Sequence, residues 1–184
     1  SLKHISIPNK VKSIKYGAFN NCTSLKYAII GNSVDSIGMY AFSDCDSLSS
    51  VVIGKNVSYI GPWAFENYGS LTSITCLNPT PPTIDNYTFQ GVDYSIEVKV
   101  PQNSIPQYKS DKYWSSFFNF TENNSTSCFI YTTNNSLHIE GLAGNYKIYT
   151  PSGKLIYEGN ETTIHLTKGV YIITIGDTIQ KIIL

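Results

Sequence analysis

The sequence predicts a mainly β protein: a solenoid of 23-residue repeats, a capping segment, and then a small antiparallel β-sandwich. Two observations lead to this prediction. In the first half of the chain, apolar residues recur every 23 positions, as they do in solenoids, where no repeat buries its apolar face alone. In the C-terminal part that period disappears, and short β-type runs alternate with turn residues instead.

The repeat is built on three apolar columns. Within one unit, the pattern L-x-x-I-x-I alternates as in a short strand whose first, fourth and sixth residues point inward. Pro or Gly then ends the strand, and V-x-x-I and A-F return to the core. We therefore expect a parallel β ladder on one side and irregular or 3-10 structure on the other. The columns hold Leu2, Leu25, Leu48 and Leu71; Ile14, Ile37, Ile60 and, one residue late, Ile84; and Phe19, Phe42, Phe65 and, one residue late, Phe89.

The unit L-x-x-I-x-I-P/G-x-x-V-x-x-I-x-x-x-A-F-x-x-C resembles the BspA-type leucine-rich repeat over residues 1 to about 95. The resemblance implies a right-handed leucine-rich-repeat solenoid in a secreted or cell-surface protein with a binding role. The next segment, from Val98 to Phe120, is similar to the closing cap of that family, in which a strand and a Pro precede a short helix and a Trp-containing stretch. Residues 1–120 are therefore assigned to the repeats and their cap.

Aromatic side chains are expected to cover the open end of the solenoid, where strand edge and core would otherwise be exposed. No comparable cap precedes the first repeat, so we expect further repeats or another domain upstream of Ser1. The capping side chains are expected to be Tyr108, Trp114, Phe117 and Phe118.

A second domain is expected at the C-terminus. The polar stretch TENNSTS predicts a linker over residues 121–127. Residues 128–184 then contain β-rich runs separated by turn residues, which predicts six or seven strands in a small antiparallel β-sandwich. From about residue 137 to 184, the run YKIYTPSGKLIYEG…TTIHLTKGVYIITI is similar to the C-terminal sorting domains of secreted Bacteroidetes proteins. That resemblance implies export to the extracellular space or outer-membrane surface of a Gram-negative bacterium.

Charge and cysteine content exclude several classes of function. The chain has 13 Lys and Arg against 13 Asp and Glu, so it presents no electrostatic footprint for nucleic acid or an anionic membrane surface. No apolar run reaches the ~18 to 20 residues of a membrane-spanning helix. The four Cys form no C-x-x-C pair. Cys22 and Cys45 occupy the same place in adjacent repeats, which favours a column of buried thiols and leaves a disulfide as the alternative.

No catalytic or metal site is expected. None of the three His has a Cys, Asp or Glu at the spacing of metal ligands, and no nucleophile or phosphate-loop motif occurs. Asp44 and Asp46 flank Cys45 and could contribute oxygen ligands to Ca²⁺, but the other repeats do not carry this acidity. We expect neither a cofactor nor catalysis.

Two candidate binding faces follow from the repeat. The column just before Ala-Phe holds Gly17, Tyr40, Trp63 and Tyr87, and its three aromatics predict an outward stripe about 10 Å long. The alternative is that this stripe packs against a neighbouring loop or an upstream segment. The second face is the outward side of the strands, where Tyr27, Ile29 and Val52 are large or apolar at positions expected to be exposed.

Together these patterns predict a noncatalytic protein-interaction or adhesion module. The expected partner is an extracellular or host-surface protein, or a polysaccharide; the oligomeric state is not predicted. Two other functions stay open, because a fold does not fix a function. The chain could be the noncatalytic substrate-binding or spacer tail of a larger secreted enzyme, or a structural stalk without a ligand.

Overall fold

The computed structural model describes residues 2–67, 69–123, 129–133, 136–140, 146–161, 163–175 and 178–183. The chain divides into two compact units, Ser1–Asn123 and Asn124–Leu184. Both units are mainly β, with almost no helix, and the first forms a solenoid of about 5 turns. Each turn of the solenoid is called a rung below.

The described residues of the first unit form nine strands, one α-helix and one 3-10 helix. Six strands form one all-parallel sheet in the order β1-β3-β5-β7-β8-β9, and three short strands form a second parallel sheet in the order β2-β4-β6. The strands are β1 (His4–Ile7), β2 (Ser13–Ile14), β3 (Tyr27–Ile30), β4 (Ser36–Ile37), β5 (Ser50–Ile53), β6 (Tyr59–Ile60), β7 (Ser73–Cys76), β8 (Glu97–Val100) and β9 (Phe120–Glu122).

The register of the large sheet follows the sequence columns. His4 pairs with Tyr27 and Ser50 pairs with Ser73, so equivalent residues of successive rungs lie side by side. The turns between rungs leave little space: a Cβ added to Gly54 would collide with the carbonyl oxygen of Gly31. This close approach explains why glycine follows the strand in two successive rungs.

The core consists of stacked columns, and the phenylalanine column is the largest of them. Phe42 is 0% exposed, and its ring lies 5.1 Å from that of Phe19 and 5.2 Å from that of Phe65, between centroids. Phe65 in turn stacks on Phe89 at 5.5 Å. Each ring thus fills the space between its copies in neighbouring rungs, so the burial of one repeat depends on the next.

The cap closes the end of this column. It consists of helix α1 (Ile105–Ser110) and a 3-10 helix (Trp114–Ser116). Trp114 and Phe117 are buried and lie 5.5 and 5.4 Å from the Phe89 ring. The indole Nε1 of Trp114 donates to the carbonyl of Pro82 at 2.8 Å. The buried polar atom of the capping Trp is therefore satisfied, as a buried donor requires.

The expectation that Phe118 covers the solenoid end is wrong, because its side chain is 69% exposed. Phe117 has extended backbone angles, φ −74° and ψ 136°, and successive residues of an extended segment point to opposite sides. Since Phe117 faces the core, Phe118 faces away from it. Tyr108 and Trp114 are buried as the sequence predicts.

The first unit extends beyond the predicted cap boundary at residue 120. Strand β9 continues the large sheet, with Thr121 paired to Lys99 of β8, and the Thr121 hydroxyl donates to Glu97 Oε1 at 3.0 Å. Thr121 and Glu122, assigned to a linker from their polarity, therefore belong to a sixth strand that pairs the open edge of β8. The rest of the predicted linker, residues 124–127, lies outside the described residues.

Where the structure describes the second unit, its strands form two antiparallel sheets, in the orders β10-β11-β14 and β13-β12-β15-β16. Leu137 and Ile164 from the first sheet and Ile148 and Ile173 from the second belong to one buried cluster. Antiparallel β structure is confirmed, while the sandwich arrangement stays a prediction. The strands are β10 (Phe129–Thr133), β11 (Ser136–Glu140), β12 (Tyr146–Tyr149), β13 (Leu155–Gly159), β14 (Thr163–His165), β15 (Val170–Ile175) and β16 (Thr178–Ile183).

Candidate functional site

Four aromatic rings on successive rungs stack into one continuous array, called here the aromatic ladder: Tyr16, Tyr40, Trp63 and Tyr87. The ring centroids lie 5.8 Å apart for the first pair, 5.2 Å for the second and 4.9 Å for the third. The first contact is edge-to-face and the other two are stacked. Tyr16, Tyr40 and Trp63 lie on the turns that follow the short strands β2, β4 and β6, and Tyr87 follows the isolated bridge at Thr83. Each ladder residue precedes a residue of the phenylalanine column.

The backbone beneath the ladder is left-handed in three rungs. Gly17, Tyr40 and Trp63 have φ of +59°, +57° and +54°. Glycine adopts this conformation without penalty, whereas a bulky aromatic residue there is a genuine outlier. Such a residue costs about 1 to 3 kcal/mol and persists only where the surrounding structure holds it in place.

Backbone hydrogen bonds between rungs accompany the left-handed conformation. The backbone N–H groups of Gly17, Tyr40 and Trp63 each donate to a carbonyl of the next rung, at 3.0, 3.2 and 3.1 Å. These bonds satisfy the turn-side backbone, as buried amides require. The same backbone path therefore recurs in these three rungs, whether the residue there is glycine or an aromatic.

Stacking determines which parts of the rings are accessible. Tyr40 and Trp63 are half-buried because each lies between two other rings, whereas the end rings of Tyr16 and Tyr87 are 72% and 45% exposed. The ladder therefore presents the edges of its inner rings and the outer faces of its end rings. The indole Nε1 of Trp63 also donates to Gln90 Oε1 at 2.8 Å, which fixes the orientation of that ring.

The structure brings the predicted residues Tyr40, Trp63 and Tyr87 together on one surface. Sequence reasoning missed Tyr16, which extends the ladder by one rung. Tyr16 stands one position before the equivalent residue Gly17, so the aromatic column Gly17, Tyr40, Trp63 and Tyr87 does not contain it. The neighbouring column does place Met39, which is 37% exposed, in line with Tyr16.

The second predicted face, on the outward side of the large sheet, is only partly accessible. Tyr27 is 48% exposed and stacks on His4, with 5.2 Å between ring centroids, and Ile29 is half-buried. The expectation that Val52 is exposed is wrong, because it is 2% exposed. Val52 lies in β5, in the middle of the sheet, with Ile29 and Thr75 paired to it on either side, and side chains on neighbouring strands shield one another.

The described cysteines, Cys22, Cys45 and Cys76, are free thiols. The Cys22–Cys45 disulfide is therefore not formed; of the expected column of buried thiols, Cys45 is buried and Cys22 is half-buried. Burial raises the pKa of the Cys45 thiol to about 12 and that of Cys76 to about 11. Because the thiolate is the reactive form, these groups are poor nucleophiles at neutral pH. Cys128 lies outside the described residues.

Metal-binding and membrane-spanning features can be assessed for the described part of the chain. Within it, no three His, Cys, Asp or Glu side chains come together in a group that could hold a metal ion. Asp44 and Asp46 are both exposed. Across the same residues, the helices fall short of the length and apolar character that a bilayer crossing requires.

Parallel strands stacked in register over a phenylalanine column, with one end covered by a helical cap, define a β-solenoid repeat protein. The family model for the BspA type leucine-rich repeat region matches six copies over residues 1–116. The chain therefore belongs to the BspA-type leucine-rich repeat family, whose members are typically surface or adhesion proteins. No curated protein matches the chain, and no comparison supports the sorting-domain resemblance of the C-terminal unit.

Proposed function

We propose that this chain is a noncatalytic adhesion module that binds a protein partner through the aromatic ladder. The main support is the left-handed backbone of Tyr40 and Trp63, where the first rung has Gly17. Strain of this kind at bulky residues is typical of functional sites, where it is maintained for what the side chain does. Tyr and Trp are also the residue types that contribute most to binding at protein interfaces.

The stacking favours a protein partner over a polysaccharide. Sugars bind aromatic side chains mainly by lying on a ring face, and Trp63 has Tyr40 and Tyr87 stacked on its two faces. Ring edges suit a protein partner, since edge-to-face packing is a preferred aromatic contact. The rigid ladder also loses little side-chain entropy on binding.

We further propose an extracellular or outer-membrane location on a Gram-negative bacterium, with the C-terminal unit as a β-sandwich that directs sorting. The support is the buried cluster shared by the two C-terminal sheets and the sequence resemblance of residues 137–184. Removing residues 128–184 from the protein expressed in a Bacteroidetes host should then keep it out of the culture medium and off the cell surface. Unchanged export would refute this part of the proposal.

The function is tested by measuring binding of the intact chain to immobilised extracellular-matrix proteins and polysaccharides by surface plasmon resonance. The double variant Tyr40→Gly/Trp63→Gly removes two rings and gives both rungs the residue that the first rung has. It should weaken binding at least about tenfold, as expected for hot-spot aromatics. The matched control is Tyr27→Thr, which removes an exposed tyrosine from the strand face.

A partner that binds the double variant as tightly as the parent chain would contradict the ladder as the binding face. The absence of any partner in the panel would favour a spacer or the noncatalytic tail of a larger secreted enzyme. A polysaccharide ligand lost in the double variant would place recognition at the ladder but contradict the protein partner.

A further inference from the structure

We infer that the partner segment recognised at the aromatic ladder is extended and cationic, with arginine as its main anchoring residue; this rests on the proposed function. The first observation is an uneven distribution of charge. The whole chain is balanced at 13 basic and 13 acidic residues. The ladder-bearing turns, residues 15–23, 38–46, 61–67 and 85–93, have one basic residue, Lys15. Their acidic residues are Asp44, Asp46, Glu66, Asp85 and Asp93.

The negative charge on this face is available to a partner. Asp44, Asp46 and Asp93 are exposed. None of these three carboxylates forms an ion pair with a described residue. The ion pairs among the described residues include the one between Lys99 and Glu97, which lies on the large sheet. Carboxylates that are solvated and unpaired attract a cationic partner and accelerate its association.

Contacts between rungs connect the rings to the acidic positions. Trp63 donates to Gln90, which occupies the place in the fourth rung that Glu66 occupies in the third. The Glu66 carboxylate accepts a hydrogen bond from Ser43 at 3.0 Å, and Ser43 directly precedes Asp44. The ladder residues Tyr40, Trp63 and Tyr87 and the acidic residues therefore lie on the same turns, close together along the chain.

The combination of aromatic and acidic groups matches arginine in particular. A guanidinium group is planar, binds carboxylates in a bidentate fashion and stacks on aromatic faces such as those of Tyr16 and Tyr87. Its aliphatic stem packs on apolar surface such as the ring edges and Met39. Lysine offers a point charge and no planar group, so it gains less from this surface.

The dimensions indicate an extended segment. Three centroid spacings of 4.9 to 5.8 Å give the ladder a length of about 16 Å, which corresponds to about five residues of extended chain. In such a chain alternate side chains face the same surface. Arginines at every second position would then all point towards the ladder.

The test is a fluorescence titration of the intact chain with nine-residue peptides in which Ser alternates with Arg, with Lys or with Glu. Trp63 serves as the reporter, because it is half-exposed whereas Trp114 is 0% exposed. The Arg peptide should change the emission of Trp63 and bind several-fold more tightly than the Lys peptide. The Glu peptide should not bind, and raising the salt concentration should weaken binding of the Arg peptide.

Two further variants separate charge from aromatic surface. Asp44→Asn/Asp46→Asn keeps the ladder and should weaken the Arg peptide about fivefold, as expected from two exposed carboxylates. The control Glu97→Gln removes a carboxylate from the large sheet and should leave the affinity unchanged. Thermal unfolding of each variant is measured alongside, so that a loss of binding is not a loss of fold.

Each outcome bears on the inference separately from the proposed function. The inference is overturned if the Arg peptide does not bind, if the Glu peptide binds equally well, or if Asp44→Asn/Asp46→Asn binds the Arg peptide unchanged. Adhesion lost in Tyr40→Gly/Trp63→Gly would still support the proposed function in those cases. Conversely, selective Arg binding that depends on Asp44 and Asp46 supports the inference even if adhesion turns out to use another face.

Discussion

Tyr40 and Trp63 stack with their ring centroids 5.2 Å apart and an angle of 10° between the ring planes, although both residues have left-handed backbone angles. Two opposing contributions to stability therefore act at each position. Ring stacking is worth about 0.5 to 1.5 kcal/mol per pair beyond burial, and the left-handed backbone costs about 1 to 3 kcal/mol. At Gly17 the same backbone carries no side chain and no penalty.

These opposing contributions predict an unusual order of stability among variants at Tyr40. Tyr40→Gly should be more stable than Tyr40→Ala by about 1 kcal/mol, because alanine retains the left-handed penalty after the ring is gone. Urea denaturation of the two variants measures the difference in free energy of unfolding. Tyr87 is the control, since its φ is not among the positive values, and there alanine should be at least as stable as glycine. Equal effects at both sites would mean that Tyr40 does not experience this strain.

The phenylalanine column should be the part of the first unit most sensitive to truncation of a side chain. Phe42 is 0% exposed and is stacked on both sides, so Phe42→Ala opens a cavity and should cost about 3 to 5 kcal/mol. Phe118→Ala is the matched control, because Phe118 is 69% exposed and surface substitutions usually change stability by less than about 0.5 kcal/mol. A loss below about 1 kcal/mol at Phe42 would contradict its place in the core.

Sequence periodicity predicted the phenylalanine column because equivalent positions of successive repeats are buried in the same way. It could not predict the exposure of Val52, because alternation gives the direction of a side chain and not the shielding by Ile29 and Thr75 on neighbouring strands. Nor could it predict the left-handed backbone of Tyr40, whose N–H donates to the carbonyl of Pro62 in the next rung. The one available signal was Gly17, a glycine at a position otherwise occupied by aromatics.

The position of β9 predicts where the chain can be shortened. A protein ending after Asn123 keeps β9 and should unfold in a single cooperative transition. Ending it after Asn119 removes Phe120, the edge pairing of β8 and the bond from Thr121 to Glu97, and should lower the unfolding midpoint. Calorimetry of both truncated chains measures this difference. Identical midpoints would show that β9 adds nothing to the stability of the solenoid.

The buried thiols predict that stability falls at high pH. Burial raises the pKa of Cys45 to about 12 and that of Cys76 to about 11, from the ordinary thiol value of 9.0. Between about pH 9 and these raised values, the unfolded chain releases thiol protons that the folded chain retains. The unfolded state then binds fewer protons, so the free energy of unfolding decreases as pH rises. Below about pH 9 both states keep these protons, and the thiols cause no pH dependence.

Urea midpoints measured at intervals from about pH 7.5 to 10.5 test this effect, because this range extends to both sides of pH 9, where the thiols of the unfolded chain begin to ionise. Burial also raises the pKa of Tyr108, whose hydroxyl donates to the Asn78 carbonyl at 2.7 Å, and this adds to the fall in stability at the alkaline end. The control is Cys45→Ala, which removes one buried thiol and should flatten the decline above pH 9 relative to the parent. A decline of the same steepness in Cys45→Ala and the parent would contradict this prediction, because it would mean that the Cys45 thiol ionises as readily in the folded chain as in the unfolded one. The complete burial of Cys45 makes such ionisation in the folded chain costly.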